Sequence, residues 1–283
     1  MRMDISIVTP SFRQLDWLRL CIASVADQTG VDAEHLVQDA GSSGIEEFAL
    51  EQAKAHAHLK VIVEKDSGMY DAVNRGLRKA QAEIVAYLNC DEQYLPGALA
   101  KVVCFFQEHP DVDVLFADMI VVEPDGSYRC HRKAMLPGKY HAQVSANLAI
   151  STCATFFRRR ILQAHSLYFS ETLKIVGDAE WVLRLIESGV KMAARRWFTS
   201  AFAETGANLD LSPNAFRERA DLMAKAPGWA RTCRRLIVGH YRLRRLCAGI
   251  YSQAPFDYAI YTTASPGERQ TFHVSHPTIR WLR

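Results

Sequence analysis

An apolar run, Ile84-Val85-Ala86-Tyr87-Leu88, stops abruptly at Asn89-Cys90-Asp91-Glu92. A buried strand that delivers carboxylates at its C-terminal end is how an open α/β sheet presents a metal or a polar ligand. Hard divalent cations take oxygen ligands, and where they carry phosphates they leave most of their coordination sphere to phosphate and water. Just upstream, Glu64-Lys65-Asp66-Ser67-Gly68-Met69-Tyr70-Asp71-Ala72-Val73-Asn74-Arg75-Gly76 supplies a polar, glycine-punctuated loop that runs into a helix. Together these segments suit the floor of a site for a nucleotide diphosphate held through a divalent ion. Two further strand-like runs end in polar residues. Ile5-Ser6-Ile7-Val8 stops at Thr9-Pro10-Ser11, and Glu34-His35-Leu36-Val37-Gln38 stops at Asp39-Ala40-Gly41-Ser42. In a parallel sheet all three ends share one edge, the edge where ligands bind. Asp39 also reads as a turn cap before Gly41-Ser42. Asp66 is expected in the pocket. Asp71 reads equally as a pocket residue or as a first-turn acid favoured by the helix dipole.

The elements that must position these residues follow from periodicity. Apolar spacing near the helical period predicts a helix through Leu15, Leu18, Leu20, Ile22 and Val25. Helices are expected over Glu46–His58, Asp71–Ala82 and Pro96–His109, and strands at 61–63, Glu83–Leu88 and 112–116. This alternation indicates βαβ units and a largely parallel sheet, an α/β fold. After Asp118 the alternation breaks. Residues 120–128 read as a hairpin with a Pro-Asp-Gly turn, and Thr152–Phe157 as a short strand followed by the basic trio Arg158-Arg159-Arg160. Asp178 is a good N-cap for a helix running through Ile186, with Glu180 in its first turn. Met192–Phe202 fits another strand. From Pro213 the pattern is mostly helical and basic, and 256–283, rich in aromatics, Thr, Pro and His, shows little structure.

The chain has 283 residues, 49% hydrophobic and 23% charged, ordinary for a globular protein of one large domain with an appendage. No apolar run is long enough to span a bilayer, and the N-terminus shows no signal peptide. Seven cysteines without paired spacing, with Cys21, Cys90, Cys104 and Cys153 in apolar surroundings, read as reduced thiols rather than disulfides or zinc ligands. The net charge of +3 hides an asymmetry: Arg217, Arg219, Lys225, Arg231, Arg234, Arg235, Arg242, Arg244 and Arg245 face only Glu218 and Asp221 across residues 217–245. Such a block points to an anionic surface such as lipid or nucleic acid, or to an acidic partner.

These motifs resemble, in order, those of the family 2 glycosyltransferases, which have the GT-A fold. The resemblance begins at Ile5–Phe12 and Val37–Ser43. It is closest at Glu64–Gly76 with Tyr87–Glu92, and it continues more loosely to Ser151–Arg158 and Gly177–Trp181. It implies a Rossmann-like, mostly parallel sheet flanked by helices over residues 1–210, with a basic, mostly helical extension over 211–283. It also implies residue roles. Thr9, Pro10 and Ser11 would line the nucleotide, and Asp39 would accept a hydrogen bond from the base. Asp66, Asn74, Asn89 and Cys90 would complete the nucleotide-sugar site, Asp91 would ligate Mn2+ or Mg2+, and Asp178 would be the catalytic base. The chain departs from the family pattern at three points. Asn89 stands where the metal motif begins with Asp, a lost charge that Glu92 could replace. Gly44 stands where an acid is frequent, and Gly177-Asp178 where Glu-Asp is common. The Gln-any-any-Arg-Trp signature of processive synthases is absent, which implies addition of one sugar at a time.

The expectation is therefore a metal-dependent, inverting glycosyltransferase. It would take a nucleotide diphosphate sugar, a UDP-sugar first among donors, and act on a glycan or lipid-linked acceptor. A nucleotidyltransferase on a similar sheet would need a glycine-rich phosphate loop, which Thr9-Pro10-Ser11-Phe12-Arg13 lacks. A non-catalytic nucleotide- or membrane-binding module would account for the basic block but not for Asp178. Along 229–246, arginines interleave with Leu, Ile, Val, Trp and Tyr, with Arg231, Arg234, Arg235, Arg242 and Arg245 expected on one side of a helix and Leu236 and Leu243 elsewhere. A basic amphipathic helix of that kind lies on an anionic membrane. The expected location is cytoplasmic and peripheral at the inner face of the plasma membrane, with no nucleic-acid partner.

Overall fold

The structure, a computed structural model, describes residues 3–145, 150–205 and 213–280. The N-terminal half alternates strand and helix: β1 Ile5–Ser11, α1 Leu15–Ala26, β2 Ala33–Asp39, α2 Ile45–Ala55, β3 Leu59–Val63, α3 Met69–Lys79 and β4 Ile84–Tyr87. There follow β5 Glu92–Tyr94, α4 Ala98–Glu108, β6 Val114–Val122, β7 Tyr128–Arg132, α5 Lys139–Ser145, β8 Thr155–Arg158, α6 Arg160–Ala164, α7 Gly177–Ser188 and β9 Met192–Ala203. The last third holds α8 Pro213–Ala224, α9 Gly228–Thr232, α10 Arg234–Cys247, β10 Phe256–Thr262 and β11 Ser265–Val274.

Nine strands form one sheet in the order β3-β2-β1-β4-β8-β6-β9-β5, with β7 also paired to β6. From β3 to β4 every pairing is parallel. Antiparallel pairing enters at β8, and β6 returns to parallel against β9. The expected α/β sheet is thus present, parallel where the polar strand ends lie. All seven residues of β1 and all nine of β6 are buried, as strands covered on both faces must be. Gly76 of α3 lies so close to β1 that a Cβ there would sit 2.3 Å from Val8 Cγ1. That close approach sets the height of α3 above the strand ends.

Several boundaries shift. The first strand continues through Thr9, Pro10 and Ser11 rather than stopping before them. The fifth expected strand runs unbroken to Val122 and forms the anticipated hairpin with β7 across the Pro-Asp-Gly turn. The short strand β5, masked in the sequence by its place just after the acidic loop, pairs with β9. Residues 152–154 form a turn of 3₁₀ helix ahead of β8. The basic trio is not a solvated face at Arg158, which is buried at the sheet edge opposite the acidic strand ends. Its guanidinium pairs with Glu83 and donates to the carbonyls of Val112 and Phe106. No disulfide joins the seven cysteines, but Cys104 is exposed on α4 rather than packed in apolar surroundings.

The boundary expected between 210 and 211 lies outside the described residues. The last third is not wholly helical, because β10 and β11 form an antiparallel hairpin. Its apolar side, Tyr258, Ile260 and Val274, packs on Ile120 and Val122 of β6 and Ala201 and Ala203 of β9. No helix among the described residues is long and apolar enough to cross a membrane. On α10, Leu236, Leu243 and Leu246 are 73%, 57% and 63% exposed. Arg234 is exposed, but its Nε donates to the Val144 carbonyl at 2.9 Å. The arginines and leucines are therefore not sorted to separate sides as expected: exposed Arg235 and Arg242 share the outer face with the leucines.

Candidate active site

The C-terminal ends of β1, β2 and β4 open into a cavity of about 660 Å³, within the size range of small-molecule sites. Pro10, Ser11, Asp66, Asn89, Cys90 and Asp91 line it, as expected for the nucleotide-sugar and metal positions. Ser11 is 5% exposed, and its Oγ has no hydrogen-bond partner. A buried polar group of this kind carries a cost unless a ligand or water satisfies it. Asp66 caps its own turn by accepting the Gly68 N–H at 2.9 Å, and burial raises its pKa.

Four expected residues stand behind the wall rather than in it. Thr9 is wholly buried, its Oγ1 2.9 Å from His35 Nε2, and burial lowers the His35 pKa to about 3. Asp39 Oδ1 accepts the N–H groups of Gly41 and Ser42 at 2.9 and 2.6 Å, and its Oδ2 accepts the Ser42 hydroxyl. This is the turn-cap arrangement, and it fixes the Ala40 wall of the cavity. Asn74 is a strut: its amide donates to the Phe169 carbonyl and to Glu171, and its Oδ1 accepts the Phe169 N–H. Asp71 pairs with Arg75 and accepts from Ser67, so it serves its own helix start.

Asp91 and Glu92 differ in placement. Asp91 faces the cavity. Glu92 is buried behind it, with Oε2 accepting the Asn89 N–H at 2.7 Å. Glu92 is thus a backbone prop and does not restore the charge missing at Asn89. Burial raises the pKa of both carboxyls, and the neighbouring Asp91 charge pushes Glu92 further. A cation in front of Asp91 would favour the ionised form of its desolvated carboxyl. No cluster of three or more metal-ligating side chains occurs among the described residues. The donor set therefore fits a hard cation with a single firm protein carboxylate, completed by phosphate and water oxygens. Glu204, from the segment after β9, adds a further carboxylate to the lining.

The opposite wall is formed by Lys174 and Ile175 on the approach to α7. Asp178 does not itself line the cavity, and it is not the helix cap. The cap position is Val176, and Asp178 is the second residue of α7, half-buried. Its N–H donates to the Tyr70 hydroxyl at 3.1 Å, and that hydroxyl donates to the Ile175 carbonyl at 3.1 Å. Burial raises the pKa of both Tyr70 and Tyr87, and the nearby Asp178 charge raises them further. Tyr70 stacks on Phe169, which stacks on Trp181, so an aromatic pile underlies the turn.

This packing explains the departure at Gly177. A Cβ there would lie 2.5 Å from Cε2 of Tyr70, so any side chain at 177 collides with the ring that holds the turn. Gly44 has its own reason: it caps α2 with φ of 80°, in the left-handed region, where an acidic residue is strained.

Sequence reasoning missed Gln14, Lys65, Lys174, Phe202 and Glu204 in the lining. Gln14 binds the Cys90 thiol through Oε1 at 3.3 Å, and Lys174 Nζ reaches the Ser67 carbonyl at 2.6 Å, bridging the two walls. Lys65 alone carried a signal, being adjacent to Asp66 in the motif. Phe202 lies near the end of β9, and Gln14, Lys174 and Glu204 come from loops without periodicity.

The sequence model described as Glycosyl transferase family 2 matches residues 6–165, more than half of the chain. A "PGL/p-HBAD biosynthesis glycosyltransferase" of Mycobacterium bovis (strain BCG / Pasteur 1173P2) is 32% identical over 122 residues, 41% of this chain and 46% of that protein. A "Putative teichuronic acid biosynthesis glycosyltransferase TuaG" of Bacillus subtilis (strain 168) is 29% identical over 106 residues, 37% of this chain and 42% of that one. The matched region thus spans less than half the length of these curated relatives. Among solved structures, S. aureus TarS 1-349 in complex with UDP-GlcNAc has a TM-score of 0.63 at 18% identity, over 87% of this chain and 73% of that one. A Pyrobaculum calidifontis mannosyltransferase in complex with GDP-Man and Mn2+ has a TM-score of 0.56 at 16% identity, over 88% of this chain and 80% of that one. The two solved structures share the fold.

Proposed function

The chain belongs to glycosyl transferase family 2, and from that premise we propose that it moves one sugar from a nucleotide diphosphate sugar to a hydroxyl acceptor, inverting the anomeric centre. The observation that carries this is a single cavity, with Ser11, Asn89 and Asp91 at the strand ends on one wall and the Lys174-Ile175 approach to Asp178 on the other. The donor lies over the strand ends, with its base toward the Asp39 turn. Ser11 Oγ gains the partner it lacks. Mn2+ or Mg2+ at Asp91 would neutralise the diphosphate and assist its departure as a Lewis acid. Asp178 takes the proton of the acceptor hydroxyl as that oxygen attacks the anomeric carbon from the face opposite the diphosphate, general-base work for a carboxylate. No covalent enzyme intermediate forms, so configuration inverts.

The solved structure holding UDP-GlcNAc is the reason to place UDP-sugars first in a donor panel. The relatives named for surface glycan synthesis support a glycan or lipid-linked acceptor. Incubating the protein with nucleotide sugars and Mn2+ should release nucleoside diphosphate from one donor class, and chelator should abolish the release. Absence of release and of any thermal shift with every donor would overturn the assignment.

A cytoplasmic, peripheral position at the inner face of the plasma membrane belongs to the same proposal. Its support is the outer face of α9 and α10, where Trp229, Leu236, Leu243 and Leu246 are exposed beside Arg231, Arg235 and Arg242. A basic residue near an anionic surface contributes about 1 kcal/mol. Binding to anionic liposomes should be salt-sensitive and lost in an Arg231→Glu/Arg235→Glu/Arg242→Glu variant. Equal partitioning onto neutral liposomes would count against it.

A further inference from the structure

Glu218, one of only two acids in the basic block, does not face solvent like its arginine neighbours. It is 9% exposed on α8, and its carboxylate accepts three consecutive backbone N–H groups ahead of α7. Lys174 N–H donates to Oε1 at 2.9 Å, and the N–H groups of Ile175 and Val176 donate to Oε2 at 3.0 Å each. Near the start of a helix the backbone N–H groups lack intrahelical partners, and α7 has no side-chain cap of its own. A side chain 42 residues beyond Val176 therefore holds the backbone that leads into the helix, while the N–H groups of Asp178 and Ala179 go to the Tyr70 hydroxyl and to Asp178 Oδ1. One turn further along α8, Leu222 packs with Val176, Ala179 and Leu183 of α7, which fixes the distance between the two helices. Burial alone would raise the Glu218 pKa, but the three N–H groups hold it below the usual carboxylate value, so the acceptor stays charged.

The clamped residues occupy the cavity wall. Lys174 and Ile175 line it, and Asp178 follows two residues after Val176. Tyr70 grips the same turn from the other side, through the Ile175 carbonyl and the Asp178 N–H. The turn is thus held between a tyrosine of the N-terminal half and a glutamate of the last third.

We propose that Glu218 is a positioning residue for transfer, setting the Lys174–Asp178 turn against the donor so that the Asp178 carboxylate meets the acceptor hydroxyl. This rests on the reading of Asp178 as the base. The inference assigns the basic last third a part in the reaction apart from any surface it docks on.

The test compares Glu218→Gln with the wild type. Glutamine keeps the length and volume but turns an NH₂ toward one of the three N–H donors, so at least one hydrogen bond is replaced by a repulsion. Displacement of a catalytic group by about 1 Å costs up to about 100-fold in rate. The expected result is a kcat reduced about 10- to 100-fold, with donor KM and the affinity for UDP with Mn2+ within about two-fold of wild type. Glu218→Asp, which keeps an acceptor-only carboxylate, should recover part of the loss. In an Asp178→Asn background, Glu218→Gln should reduce kcat no further, because the two act as one unit. Hydrogen exchange of the peptide spanning 170–180 should accelerate in Glu218→Gln while the rest of the sheet stays protected.

A kcat within two-fold of wild type, or a loss matched by weaker UDP binding and a lower Tm, would reduce Glu218 to a structural contact and overturn the proposal. If Asp178→Asn turned over at the wild-type rate, the base assignment would fail by itself. The exchange readout and the split between kcat and UDP affinity in Glu218→Gln would still decide whether Glu218 sets the turn for the reaction.

Discussion

The two walls of the cavity are built in opposite ways. On the donor side, β1, β2 and β4 lie next to one another and each ends in the residues that line the site. Little beyond the strands is needed to place them. On the other side, the turn before α7 is held by side chains from distant parts of the chain. Tyr70 lies 108 residues before Asp178, and Glu218 lies 42 residues after Val176. The loop that carries Asp91 is the exception on the donor side, since the strand that follows it, β5, is held by the β10–β11 hairpin. Gln93 and Tyr261 exchange two hydrogen bonds of 2.9 Å, and Arg269 donates to the Tyr94 carbonyl at 3.0 Å. One wall is placed by sheet register, the other by long-range braces. Substitutions on the first wall should remove activity and leave stability nearly unchanged, whereas substitutions in the packed braces at Gly177 and Arg269 should be felt first in stability; Glu218→Gln, which keeps the volume of the side chain, should instead lower kcat without a matching fall in Tm.

The sharpest contrast is expected from the carboxylates. Asp178→Asn keeps the shape of the side chain and its hydrogen bond to the Ala179 N–H but cannot accept a proton. Sugar transfer should fall about 10²–10⁴-fold, with donor binding and Tm retained. Asp91→Asn should abolish Mn2+-dependent turnover as well. Because burial already disfavours the ionised Asp91 carboxyl, the amide should leave Tm unchanged or raised in the absence of metal. A steep fall in Tm for Asp91→Asn would erase the distinction between the walls, and one for Asp178→Asn would make its carboxylate part of the braces that hold the turn.

Brace variants should behave the other way. Gly177→Ala drives a methyl into the Tyr70 ring, and overpacking a buried site costs roughly 1–3 kcal/mol. Tm should drop, and kcat should drop with it as the turn shifts. An unchanged Tm would mean that the ring yields freely, and the explanation of glycine at 177 would fail. Arg269→Ala should come next. Its guanidinium joins Asp27 of the loop after α1 to the carbonyls of Tyr94 and Ala259, and it lies 4.9 Å from the centre of the Tyr261 ring. Losing hydrogen bonds to a charged group costs about 1.5–3 kcal/mol. Chemical denaturation should show that loss, with donor KM rising only modestly because Arg269 holds β5 at Tyr94, three residues beyond Asp91.

The same contrast decides what could be read from the chain. The strands ending at Ser11, Asp39 and Asn89 were legible because each is a short apolar run cut off by polar residues, a pattern local in sequence. The cavity lining at Pro10, Ser11, Asp66, Asn89, Cys90 and Asp91 followed directly. Asn74 and Thr9 sit in the same motifs but face inward, since a motif gives the segment and not the direction of each side chain. Asp178 was picked out by the motif and expected to cap α7, but the helix begins one residue before it at Gly177, and the group that holds the backbone ahead of the helix, Glu218, is on another helix. The β10–β11 hairpin went unread because β11 opens on Ser265-Pro266 and carries Gly267-Glu268-Arg269-Gln270 within the strand. No alternation survives there to mark a strand.

The smallest effect on activity should come from a buried carboxyl on β6 that does not line the cavity. Asp118 is 1% exposed and accepts the Ala134 N–H at 2.8 Å. Burial raises its pKa from 3.8 to about 7, against the pull of Arg196 and Lys133. The folded state therefore holds the proton more tightly than the unfolded chain. Stability from this group is fully present below about pH 4, declines as pH rises toward 7, and is absent above. Each pH unit in that window is worth about 1.4 kcal/mol. Asp91 carries a similar burden, but there a bound cation would return it; at Asp118 no cavity ligand can. Asp118→Asn keeps the acceptor for Ala134 and removes the ionisation, so Tm of variant and wild type should coincide near pH 4 and diverge to pH 8, the variant being the more stable. At roughly 2–4 °C for each kcal/mol in a chain of this size, the divergence is measurable by calorimetry, with kcat unchanged throughout. A constant Tm difference across that range, or a gain that shrinks with rising pH, would show that Asp118 is ionised in the folded protein and held by Arg196 and Lys133 as a true ion pair.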